Sequence, residues 1–148
     1  MMRRATIWLS ALALVVVTLT IATPAMAEED TISVQVRAIA AGIQEESFDP
    51  ALEDLRTRLE RGFRDYTSFE ELSRHSHTIT IDDSREFELP TDDVLALSFR
   101  GRDDELVKLG LTLGDRLDTS LRVSQGSTFF QAGLRYERRM LVLAITVK

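Results

Sequence analysis

The chain contains no cysteine. That one absence removes disulfides, thiolate metal sites and thiol nucleophiles together, and it leaves packing to supply the stability. The common catalytic fingerprints are also missing. There is no G-x-S-x-G elbow, no H-E-x-x-H helix, no phosphate-binding glycine loop and no dinucleotide fingerprint. Internal repeats and low-complexity linkers are absent as well. Basic residues are in the minority, 18 Lys and Arg against 24 Asp and Glu.

What is present begins with an export pattern. Arg3 and Arg4 form a short basic region, 7–21 is almost unbroken apolar sequence, and Ala25-Met26-Ala27 is a small-x-small cleavage pattern just after Pro24. The apolar run is short for a bilayer span, which needs roughly 20 residues. Residues 1–27 are therefore expected to be a cleavable signal peptide. Ala5 and Thr6 after the arginines favour the Sec route over the twin-arginine one. The expected product is one periplasmic or secreted domain, 28–148, with no stable membrane anchor and no cysteine to accept a lipid. Both signal arginines leave with it and every acidic residue stays, so this domain carries a formal charge of −8. Nucleic acid and anionic membrane are poor partners for such a surface.

Within 28–148 the apolar pattern is mostly of period two. Ile32, Val34, Val36, Ala38 and Ala40 alternate with Ser33, Gln35 and Arg37, as in a half-buried strand. Asp49-Pro50 then announces a helix over about 50–62, with Asp as N-cap and Pro at the first helical position. Leu52, Leu55, Leu59 and Phe63 form its apolar stripe, Asp54 and Arg58 form an acid-first pair one turn apart, and Gly62 is a stop. From Tyr66 onward turn signals recur every eight to twelve residues, bounding strands at 69–81, 85–89, 94–99, 106–113, 117–124, 128–134 and 140–147. The last run is apolar on both faces, which suits a central strand covered on each side. The pattern predicts a mainly β fold, an antiparallel β-sandwich of about seven to eight strands with one amphipathic α-helix near the N-terminus of the mature chain. An α+β fold with an N-terminal βαβ unit is the alternative.

Several residues could carry chemistry. His75 and His77, two apart on a strand, share a face and can chelate zinc if a third ligand such as Glu71 joins them. Asp82 and Asp83 in one turn, with Asp103 and Asp104 in another, would meet at one end of an up-and-down sheet and could hold calcium. Phe63, Tyr66 and Phe69 read as the anchor of helix to sheet. Phe129 and Phe130 are adjacent on a strand, so their rings face opposite ways, and one of them is a candidate partner surface. Arg135, Arg138 and Arg139 around the last turn, with Arg100 and Arg102 in another, are the set from which an anion clamp would be drawn.

An export signal, a loop-rich rigid scaffold and no visible catalytic constellation point to recognition rather than catalysis. The expected role is binding or assembly with an envelope or extracellular protein, without a cofactor. A calcium or zinc protein, an unrecognised hydrolase and a subunit that donates the 140–147 strand are the alternatives.

Overall fold

The computed structural model describes residues 31–148, so the expected signal peptide lies outside the described residues. Two sheets face each other, antiparallel throughout except where the short strand Ser47–Phe48 pairs parallel with Ser68–Thr80. The first has the order β2-β3-β1-β9-β8, from β1 (Thr31–Gly42), β2 (Ser47–Phe48), β3 (Ser68–Thr80), β8 (Thr128–Tyr136) and β9 (Arg139–Val147). The second is the meander β4 (Ser84–Glu88), β5 (Val94–Asp103), β6 (Leu106–Leu113) and β7 (Leu117–Ser124). Between β2 and β3 a 3-10 turn, Pro50–Leu55, continues into α1 (Arg56–Gly62). The fold is the expected sandwich with one short helix, and the described residues form nine strands because the two-residue β2 joins the sheet.

The expected alternation fills the space between the sheets. Ile32, Val34, Val36 and Ala38 of β1 and Leu141, Leu143, Ile145 and Val147 of β9 pack there against Leu95, Leu97 and Phe99 of β5 and Val107, Leu109 and Leu111 of β6. A second, smaller core lies on the outer face of the five-stranded sheet. Leu52, Leu55 and Leu59 of the helical segment cover Ile39, Ala41, Phe69, Val142 and Ala144 there, with Phe63 and Tyr66 packed at the margin. This explains why β9 is apolar on both faces: one serves each core. It pairs antiparallel with β1 on one side and β8 on the other, so 140–147 is an internal strand of its own chain and not a free one.

Three local expectations are corrected. β1 and β3 run antiparallel, so no parallel crossover joins them; the parallel crossover links the two-residue β2 to β3. β5 continues past Gly101, which sits at φ 98 inside a bulge, and turns only at Asp104. Asp54 pairs with Arg37 of β1 and not with Arg58. The first helical turn is 3-10, with about three residues per turn, and that aims Asp54 at the sheet.

Candidate functional site

Arg37 and the helix are joined by charge. Arg37 is 3 % exposed, because its polar-phase position on β1 faces the helix and not water. Its guanidinium donates to Asp54 Oδ2 at 2.7 Å, to the Ala51 carbonyl at 2.7 Å and, more weakly, to Glu71 Oε2 at 3.5 Å. Arg74 donates to both oxygens of Glu71, at 2.6 and 2.8 Å. The Arg74 hydrogen bonds, with help from Arg37, hold the Glu71 carboxyl below its ordinary value, and the Arg37 hydrogen bond does the same for Asp54. Asp49 caps the helical segment by accepting from Ala51 N at 2.9 Å, and its second oxygen accepts from Glu71 N at 3.0 Å. Those two backbone bonds lower its pKa as well. This network fastens the helix to the sheet, and each charged member is occupied with another.

The histidines do not join Glu71. In β3 the register slips at Leu72, so Ser73 faces Ala38 while Glu71 faces Ile39, and Glu71 moves to the helix-side face. His75 and His77 stay opposite Val36 and Val34, at the open edge between the sheets, where the His77 ring packs edge-on against Phe87 at 4.9 Å. The acidic turns do not converge either. Asp82 N donates to the Phe99 carbonyl and Asp83 accepts at its own carbonyl from Phe99 N, which fixes that turn four residues before Asp103 on β5. Four strand residues span roughly 13 Å. Asp103 pairs instead with Arg122 at 3.4 Å. Among the described residues no group of three or more His, Asp or Glu is placed to hold a metal ion.

Phe129 and Phe130 do face opposite ways, and each is half-buried under a layer. Phe129 packs on the core between the sheets, and Phe130 packs on the helix side, edge-on to Phe63 at 6.0 Å with the Arg58 guanidinium 5.0 Å above it.

The feature least explained by packing is the end of the molecule where β8 turns into β9. The two-residue turn Glu137-Arg138 faces the loop 43–46 across a cleft of about 490 Å³ lined by Gly42, Ile43, Glu70, Arg138 and Arg139. A second opening of about 530 Å³ continues from it past Tyr66, Arg135 and Met140. Arg139 is held by Glu70 at 2.6 Å and lies over the Tyr136 ring. Arg135 and Arg138 are exposed, and their side chains make no hydrogen bond or ion pair among the described residues. Ile43, at 68 % exposure, is the most exposed large apolar side chain among the described residues. Glu137 takes φ 54, a left-handed conformation unusual for a residue other than Gly, Asn or Asp. The arginine cluster was legible from its spacing. Ile43, Glu70 and Tyr66 were not, because only the fold brings β1, β3 and the 62–67 loop to the same end.

The site offers two uncommitted guanidinium groups beside apolar surface, which suits a carboxylate or phosphate carried on an apolar body. It holds no histidine: both lie farther along β3. No protein-family model, no curated protein and no solved structure matches the chain.

Proposed function

We infer that the protein is an exported β-sandwich that works by binding a protein of the cell envelope or its surroundings, using the cleft at the β8–β9 turn. One observation carries this reading: Arg135 and Arg138 stand without partners beside the exposed Ile43 in a domain whose net charge is strongly negative. In such a domain, acidic groups that could neutralise them are plentiful, yet none does. An acidic side chain or C-terminal carboxylate next to an apolar residue has the matching chemistry. The export half of the reading is supported by the order of basic, apolar and small-residue segments in 1–27.

A photo-crosslinking residue at position 43, introduced in cells that make the protein natively, tests the binding half. The expected result is one crosslinked protein, lost when Arg135 and Arg138 are both changed to Glu in a chain that remains folded. Crosslinking that ignores those changes, or none above that of a control position on β6, would reject it. The intact mass of the native protein tests the export half, since cleavage after Ala27 leaves Glu28 first.

A further inference from the structure

We propose that the protein is a two-fold symmetric dimer in which β7 pairs antiparallel with β7 of a second copy, joining the two four-stranded sheets into one of eight strands. An open strand edge is an invitation to pair, and proteins that remain single blunt it with short strands, bulges or charges. The other edges here carry such devices. β2 has two residues and β4 five. β8 is bulged at Gly133, φ 114, and its Thr128 carbonyl accepts a hydrogen bond from Arg58. Beyond β2, the free stretch of β3 carries Arg74, His75, Ser76 and His77.

β7 is neither short nor bulged, and its two outward charges, Asp118 and Arg122, are of opposite sign. It runs eight residues in unbroken register with β6, without proline, glycine or bulge, and among the described residues no strand pairs with its outer side. Its inward side chains, Leu117, Thr119, Leu121 and Val123, are only half-buried although they face the core of the sandwich, because no strand lies beyond them.

The strand's sequence reads as its own partner. Antiparallel pairing about Ser120 sets Asp118 opposite Arg122 of the second copy, and Arg122 opposite its Asp118, on the outer face. On the inner face it sets Leu117 opposite Val123 and Thr119 opposite Leu121. Cross-strand pairs of this kind are the unit of sheet stabilisation, and a two-fold axis makes each occur twice. Moving the axis by one residue to Thr119 would place Arg116 against Arg122, and moving it to Leu121 would place both charges against serines, so one register is selected. The outer face beside Arg122 also carries Arg100 and Lys108, a cationic patch next to which the second copy's Asp118 would lie. Among the described residues Arg122 has only the exposed pair with Asp103, at 3.4 Å, and Asp118 only a 3.5 Å contact from Thr112 Oγ1. Neither prevents the exchange.

Analytical ultracentrifugation of the purified protein over a concentration series tests the proposal. The wild type should be dimeric. Asp118→Arg alone and Arg122→Asp alone each bring like charges together twice and should raise the dimer dissociation constant about tenfold or more. Mixing these two variants restores both opposite-charge pairs, so a mixed dimer should form where neither variant dimerises alone, and the double variant should dimerise like wild type. Circular dichroism confirms that each variant is folded. A wild type that stays monomeric throughout the series, or a dimer indifferent to both reversals, would overturn the proposal.

Discussion

Arg37 shows how one side chain can depend on its neighbours and yet be dispensable itself. Buried ion pairs recover their desolvation cost only while complete, so removing acceptors strands a charge, whereas removing the charge need not cost stability. Changing Asp54→Asn and Glu71→Gln together should lower unfolding stability by about 3 kcal/mol, measured by urea titration. Arg37→Met should change it by no more than about 1 kcal/mol, because Glu71 keeps Arg74 and Asp54 is mostly in water. The Arg37 Nε, buried without a hydrogen-bond partner among the described residues, points the same way. Glu137 is a second residue whose cost is local. Glycine tolerates its left-handed backbone, so Glu137→Gly should raise stability by about 1 kcal/mol in the same titration. If the turn also orients Arg138, that gain should come with weaker crosslinking from position 43.

The helical element rests on its first residues. Asp49 caps the 3-10 turn and also ties its start to the bulged strand through Glu71 N, so Asp49→Ala should cost about 2 kcal/mol, the upper end for a cap. Thermal melts would show it, and Asp49→Ser should recover about half because its shorter side chain keeps only the cap. Most elements were readable in the sequence for reasons of this local kind: Asp49-Pro50 marks a start, and alternation in 106–113 and 117–124 marks strands with one wet face. What was not readable depended on docking. Arg37 sits in the polar phase of β1 and looks solvent-facing until the helix covers that phase. Nothing around Leu72 announces the bulge that separates Glu71 from the histidines, and a one-residue slip moves every later side chain to the other face. The candidate cleft was half-legible, since Arg135, Arg138 and Arg139 lie close in sequence whereas Ile43 and Glu70 arrive from elsewhere.

At the scale of the molecule, the two cores respond differently to acid. Asp49, Asp54 and Glu71 all have lowered pKa values and all sit at the seam between helix and sheet. A carboxyl depressed in the folded state contributes stability in full above its unfolded value of about 4, and the contribution fades as pH falls through the lower folded value. Among the described residues the core between the sheets contains no buried titratable group. Stability should therefore hold from neutrality down to about pH 5 and decline below it. The decline should begin at the helix, seen as Tyr66 and Phe63 losing their packing before Tyr136 loses its place on the sandwich core. Hydrogen exchange at pH 3 to 4 would resolve the order, with β9 amides facing β1 remaining protected longest.

The pairing of β1 with β9 has a consequence in time. The two strands that form the centre of the larger sheet are the first and the last described, so every contact between them waits for the intervening chain to be made. At ordinary rates of synthesis that delay is about 5 to 20 s, during which β1 has no permanent neighbour on that side. Long-range pairing of this kind also makes spontaneous refolding slow. Throughout the wait, Ser33, Gln35 and Arg37 interrupt what would otherwise be a continuous sticky segment. The same arginine that later sits beneath the helix thus serves first as a guard against premature association, and the nascent chain stays pliable until its final strand arrives.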